Sequence, residues 1–330
     1  LFHYKTSLKI AWKPCIEAKL TAQTKGMNII ALHGGLDTSR SRSFMEILER
    51  AALDGFVLLA EGRVPAVEAV LNVLEDSPNF NCGFGAVLNM DGEVELDASI
   101  CDGETSRFAA VAAIRDVRHP ISVARRLMEE TSQVILAGDG ALQFARKHGF
   151  PKDNCISEEQ LDAWRKARES LARGEKPAQN LYTGLAYHGD TVGCVVWDGK
   201  GLTAASSTGG CSLKLPGRVG DTPSLGGGVY ATKLSAVVCT GIGESFVETL
   251  TAKFVDEKIA GGAHPQQAVE LALRRLAELK GAEGGILAVD AQGRIGSAFN
   301  AGQFPVVVME EGRVRQGFEP VNLRRALFAH

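Results

Sequence analysis

The sequence predicts an α+β protein with mainly antiparallel sheets and helices packed outside them. Three features carry that expectation. Two strand–turn–strand patterns, at 191–208 and 285–300, have turns too short for anything but antiparallel pairing. Apolar residues at helical spacing recur in 41–75 and again in the last third of the chain. Both halves mix several strands with paired helices, and no fixed-period repeat interrupts them.

The elements follow in chain order. "NIIALHGG" (28–35) is a short buried strand ending in glycines. Phe44, Ile47, Leu48, Ala51 and Ala52, then Val67, Val70, Leu71 and Leu74, fit two helices broken at Gly62-Arg63-Val64-Pro65. The alternation through 79–103 and its Asp91-Gly92 turn suggest a hairpin. A strand is expected at 108–117, a helix from His119-Pro120 to Glu130, a strand at 134–137 and a helix at 141–148. Composition then shifts. Residues 151–189 are polar and charged, reading as a linker with one solvated helix at Glu158–Ala172. Beyond it come two strands around Asp198-Gly199, glycine-rich turns to Gly228, a strand at 235–240, and helices at 244–259 and 265–279. Two more strands and a last hairpin follow.

Bulk composition narrows the function. The chain has 330 residues, 45% hydrophobic and 23% charged, enough for a sizeable core. A net charge of -3 and 6% aromatics argue against nucleic acid or an anionic membrane as partner. No apolar stretch approaches a membrane span, and Lys5, Lys9 and Lys13 interrupt the first 26 residues, so neither a signal peptide nor a membrane anchor is expected. Seven cysteines, an odd number without C-x-x-C spacing, read as buried thiols of a reducing compartment, the cytoplasm. The seven histidines, His33 among them, lack ligand spacing. Phosphate-loop, dinucleotide, zinc-protease and serine-hydrolase motifs are all missing.

Thr191 raises the catalytic question. In "HGDTVGCVVW" it stands at the head of a core strand, straight after Asp190. A threonine hydroxyl is a poor nucleophile without a base. Its own α-amine, with a reference pKa of about 8, is a suitable one, but exists only if the chain is cut between Asp190 and Thr191. The plainer reading is a β-branched strand residue. In "GRVGD", Arg218 and Asp221 are opposite charges in a Gly/Pro-rich loop. They match the carboxylate and ammonium of an α-amino acid, or form a surface ion pair. In "CTGIGES" a strand ends, glycines turn and a helix begins, so backbone N–H groups can face an oxyanion.

"GDTVGCVVWDGKGLTAASSTGG", "LPGRVGDTPSLGGGVYA" and "VCTGIGES" together resemble the N-terminal-nucleophile hydrolases of the plant-type asparaginase and isoaspartyl aminopeptidase family. "LEDSPNFNCGFGAVLNMDGEVELDASICDG" and "ALHGG" resemble that family's first half, so the likeness covers roughly 28–150 and 188–305. The resemblance implies a four-layer αββα sandwich, self-cleavage before Thr191, and no organic cofactor. One folded domain would form from an α subunit (28–190, its 150–190 linker becoming a flexible tail) and a β subunit (191–330), with 1–27 an extension. Dimers of αβ units, heterotetramers, are the implied assembly. Thr191 would be the nucleophile, Thr208 its support, Thr240 and Gly241 the oxyanion donors, Asn81 a neighbour of the nucleophile, and Arg218 and Asp221, with Gly241, the substrate grip. Leu74, Glu75, Ser77, Phe80, Cys82 and Phe84 match a loop that wraps a sodium ion with backbone carbonyls.

The implied substrates are β-aspartyl peptides and L-asparagine. Three positions depart from the pattern: Asp190 replaces the usual glycine, Leu36-Asp37 a glycine-rich continuation, and Ile242 a commonly polar residue. Glycosylasparaginases usually have aspartate before the threonine, so a glycosylasparaginase-like hydrolase is the second reading. A non-catalytic module that binds an anion or amino acid at 217–228 is the third.

Overall fold

Turn chemistry and periodicity place the elements in the computed structural model, which describes residues 28–36, 41–174 and 191–327. Ser41 accepts from the Phe44 N–H and starts α1 (Arg42–Leu58). Gly62, at φ +133°, then turns the chain into α2 (Arg63–Glu75). Strand β1 (Ile29–His33) precedes them; β2 (Leu96–Asp102) and β3 (Arg107–Ile114) follow. Next come α3 (Pro120–Glu130), β4 (Ile135–Ala137), α4 (Gly138–Lys147) and α5 (Glu158–Ala172). The second half runs β5 (Val192–Trp197), β6 (Leu202–Thr208), β7 (Val229–Ala231), β8 (Ser235–Gly241), α6 (Gly243–Thr249), α7 (Thr251–Ala260) and α8 (Pro265–Lys280). It closes with β9 (Gly284–Asp290), β10 (Ile295–Phe299), β11 (Val306–Glu310), β12 (Arg313–Val314), β13 (Val321–Asn322) and α9 (Arg324–Leu327).

The strands form two sheets. The larger has the order β12-β11-β1-β5-β6-β2-β3-β4, the smaller β13-β10-β9-β8-β7. The expectation of mainly antiparallel sheets is corrected to mixed ones, because β3 pairs with β4, and β10 with β13, in parallel. A short turn cannot make a parallel pair; here α3 carries the chain across from β3 to β4.

Alternation along β5 divides the core. Val192, Cys194 and Val196 pack with α1 and α2 side chains such as Leu48 and Val70. Val195 and Trp197 pack with Val238 and Leu287 of the smaller sheet. That sheet's other face, with Val237, Cys239 and Ile286, buries Val255 of α7 and Leu273 of α8. Cys82, Cys101, Cys155, Cys194, Cys211 and Cys239 are buried free thiols. Among the described residues no helix is long and apolar enough to cross a membrane.

Two further expectations are corrected. The stretch 80–95 is not half of a hairpin. Asn89 Oδ1 accepts from the N–H groups of Asp91 and Glu93, and the main chain here bonds the distant 213–214 segment instead of a local strand. The single helix at 244–259 is two. Leu250 is left-handed at φ +48°, and Ala252 and Lys253 donate to the carbonyls of Gly227 and Gly226 rather than back along the helix. No glycine or proline marks that break, which a partner loop imposes.

Candidate active site

Thr191 is buried at the mouth of β5, one residue before Val192. Its parity is that of Gly193 and Val195, so it lies on the face turned to the smaller sheet. Its main-chain N–H donates to Thr240 Oγ1, on β8 of that sheet, at 3.2 Å. Val192 pairs with Ser207, which sets Thr208 beside Thr191 at the end of β6. Thr208 Oγ1 accepts from Gly210 N–H at 3.0 Å and so closes the turn after it.

Asn81 holds the same turn from outside. Its Nδ2 donates to Gly210 O at 2.6 Å, its Oδ1 accepts from Val87 N–H at 2.9 Å, and its carbonyl accepts from Gly209 N–H at 2.8 Å. Both side-chain ends are thus engaged with the main chain, one of them at the turn after Thr208.

Beyond the turn, charges gather. A Cβ on Gly210 would lie 3.1 Å from Lys214 Nζ and 3.2 Å from Arg218 Nη1, so two cations converge over one bare residue. Lys214 is buried and donates to Glu95 O at 2.8 Å; burial pulls its pKa down, against the pull of Asp97 and Glu95. Arg218 forks onto Glu244, Nε to Oε1 and Nη2 to Oε2, both at 2.8 Å. Burial alone would raise Glu244, yet the Arg218 bond and charge hold it below the usual range. The Glu95 carboxylate accepts from Gly217 N–H and fixes the start of the Arg218 loop.

Asp221 stands across Gly243 from Arg218. A Cβ on Gly243 would meet Asp221 Oδ1 at 2.8 Å and Arg218 Nη2 at 3.0 Å, so the two expected grip residues flank one spot. Asp221 is buried and its Oδ2 has no hydrogen-bond partner. Burial pushes its pKa up to about 7, although Arg218 opposes the shift. Gly241, at φ +139°, ends β8; a side chain there would lie 2.5 Å from Glu283 O. Ile242 is half-buried against the smaller sheet's helix-side core.

Leu74 and Glu75 end α2, and Ser77, Phe80, Cys82 and Phe84 lie on the tight loop that follows it. A Cβ on Gly83 would sit 2.3 Å from Glu75 O, and one on Gly85 2.2 Å from Phe80 O. The fully buried Glu75 carboxyl accepts from Ser207 Oγ at 2.6 Å and Ile121 N–H at 3.2 Å, tying this loop to the residue before Thr208. Burial raises its pKa well above the carboxylate range.

No motif in the sequence singles out Glu244, Asp97, Lys214 or Glu95. Glu244 was in plain view as the acid of "CTGIGES", but as a helix start rather than Arg218's partner. Asp97 needs the strand register. It stands opposite Thr208 on β2 and accepts from Ala113 N–H at 2.7 Å. Asp190 lies outside the described residues.

A threonine at a strand mouth, a second sheet's threonine on its nitrogen and a charged loop beside them make this cluster the candidate site of the chain. The family model described as asparaginase matches residues 26–318. The chain is 39% identical over 297 residues to the plant-type L-asparaginase of Pyrococcus horikoshii, covering 87% of this chain and 97% of that protein. It is 40% identical over 298 residues to the plant-type L-asparaginase of Thermococcus kodakarensis, with the same coverage. It is 37% identical over 301 residues to the human isoaspartyl peptidase/L-asparaginase, covering 88% of this chain and 96% of that protein. This chain belongs to the asparaginase family and is an amidohydrolase.

Proposed function

We propose that the protein cuts itself before Thr191 and then hydrolyses L-asparagine and β-aspartyl peptides with Thr191 as the N-terminal nucleophile. The observation that carries this reading is the Thr191 nitrogen held at 3.2 Å from Thr240 Oγ1. After cleavage that nitrogen is an α-amine, fixed beside its own hydroxyl. Arg218 takes the substrate α-carboxylate and Asp221 its α-ammonium, presenting the side-chain carbonyl to Thr191. Thr191 Oγ1 bonds to the carbonyl carbon as its proton passes to the amine. Thr240 and Gly241 stabilise the oxyanion, and Thr208 supports the nucleophile. The C–N bond then breaks, the amine returns its proton to the leaving ammonia or peptide amine, and water hydrolyses the Thr191 ester to release aspartate.

The rest of the architecture follows the same reading. The three packed cores support a four-layer αββα sandwich built from an α subunit ending at Asp190 and a β subunit beginning at Thr191, paired as a dimer of αβ units. The carbonyls of Leu74, Glu75, Ser77, Phe80, Cys82 and Phe84 would hold a sodium ion. Carbonyl oxygens crowded against Gly83 and Gly85 suit a hard cation, and among the described residues no cluster of acidic, histidine or cysteine side chains offers a metal site.

Denaturing electrophoresis with N-terminal sequencing tests the cut: two fragments are expected, one beginning Thr-Val-Gly-Cys. Rates on a β-aspartyl dipeptide, L-asparagine and N-acetylglucosaminyl-asparagine test the substrate. Turnover of the glycosylated compound alone would replace this reading with a glycosylasparaginase; an intact, inactive chain that still binds aspartate would replace it with a binding module.

A further inference from the structure

One rung of the larger sheet, next to the threonine pair, carries polar side chains that this chemistry leaves unused. Register fixes its members. His33 on β1 pairs with Val306 on β11 and Gly193 on β5, Gly193 with Ser206 on β6, and Ser206 with Ser99 on β2. Their side chains face the smaller sheet, as do those two residues along, Ala31, Val195, Ala204 and Cys101. Thr191 and Thr208 occupy the next such rung, two strand residues or about 7 Å away.

His33 is fully buried, and neither ring nitrogen has a hydrogen-bond partner in the protein. Ser206 Oγ and Thr222 Oγ1 are equally buried and equally unmet, and Thr222 joins the rung through its carbonyl, which accepts from Ser99 Oγ at 2.5 Å. Three unsatisfied polar atoms thus belong to this rung, and a fourth belongs to the residue bonded to it. Native interiors answer such sites with ordered water.

The ring's direction adds to this. A Cβ on Gly193 would lie 2.4 Å from His33 Nε2 and 2.9 Å from Val238 Cβ. The missing side chain lets the imidazole lean over β5 toward Ser206. Cross-strand Cβ positions are about 4.5–5.5 Å apart, so the remaining gap to Ser206 Oγ is within one water's reach. The ring is neutral, its pKa pulled down to about 3 by burial, and therefore offers one donor and one acceptor. Gly193, Val238 and the Phe304 ring, 5.1 Å away, lie against it, and Val306 is its strand partner on β11.

We propose that His33 is a positioning residue for Thr191: with Ser206 it holds a buried water over Gly193, and this bridge across β1, β5 and β6 sets the spacing of the strands on which Thr191 and Thr208 stand. The proposal rests on Thr191 being the nucleophile.

An atomic-resolution structure of the mature enzyme should show a water bonded to both His33 and Ser206; a dry rung, or a direct His33–Ser206 bond, overturns the bridge. On a β-aspartyl dipeptide, His33→Phe should lower kcat about tenfold or more with KM within about twofold. Ser206→Ala should act alike, and the double variant should be little worse than either, because both break one bridge. His33→Gln, which keeps a donor and an acceptor, should recover kcat to within about threefold of wild type. Unchanged kcat in both single variants, or fully additive losses, overturns the proposal. If His33→Phe does not fold, His33→Gln and Ser206→Ala carry the comparison. Wild-type protein without turnover would refute the nucleophile instead, whereas an active wild type with silent variants refutes only the part given to His33.

Discussion

Thr191 and Thr240, 49 residues apart in sequence, are joined across the two sheets by a 3.2 Å hydrogen bond from main-chain nitrogen to side-chain oxygen. The bond ties the head of β5 to the end of β8, so the geometry of one residue depends on how both sheets pack. Thr191→Ala should yield a single uncut polypeptide and reduce asparagine turnover by about 10³-fold or more. Thr240→Val, which keeps shape but removes the hydroxyl, should cost about 10²-fold in kcat. Steady-state kinetics with electrophoresis of the same samples checks both.

Asp221 gives a pH signature. Its folded pKa of about 7 lies above the ordinary carboxylate value because burial disfavours the charge. The folded chain therefore binds this proton more tightly than the unfolded one, and the group's contribution to stability declines as pH rises from about 4 to about 7. Ligand binding has the opposite sense, since only the ionised carboxylate accepts from an ammonium. Competitive inhibition by L-aspartate should weaken as pH falls below about 7, approaching tenfold per unit. In Asp221→Asn it should be weak and lack this dependence; a pH-independent inhibition constant in the wild type would remove Asp221 from the ammonium site.

Glu244 orients Arg218 through a two-bond fork. Glu244→Gln leaves only one acceptor for that fork, so the guanidinium should rotate and KM for L-asparagine should rise about tenfold, with a smaller change in kcat. Glu244 is partly exposed, so stability should fall by less than about 1 kcal/mol. A large drop in melting temperature with unchanged KM would show the pair to be structural alone.

The loop at Glu75 predicts an ion effect. Gly83 is left-handed at φ +49° and abuts Glu75 O, so Gly83→Ala should destabilise the fold by about 2 kcal/mol or more. Replacing sodium with tetramethylammonium should lower the wild-type melting temperature. A melting temperature indifferent to that exchange would show that the loop holds its shape unaided.

Much of this was readable in advance where chemistry is local. The Gly62-Arg63-Val64-Pro65 break separates α1 from α2, and Ser157 caps α5 at Glu158, because capping and φ preferences act within a few residues. The quoted motifs contain Thr191, Thr208, Arg218, Asp221 and Thr240, which the fold brings into neighbouring turns and strand ends. What distant partners decide was hidden. Leu250 leaves the helical conformation where Gly226 and Gly227 accept the next N–H groups. Asp97 comes opposite Thr208 only once β2 is in register with β6. His33 looked like one more scattered histidine until Gly193 was placed beneath its ring.

The order of the larger sheet has a consequence for how such an enzyme is made and kept. β1, from the first half, lies between β11 and β5, both from the second, and β6 of the second half lies against β2 of the first. A chain severed ahead of Thr191 is therefore two interleaved pieces sharing one hydrogen-bonded ladder. Dilution should not part them, mixed populations should not trade halves, and genes split at that point should yield activity only when both products fold together.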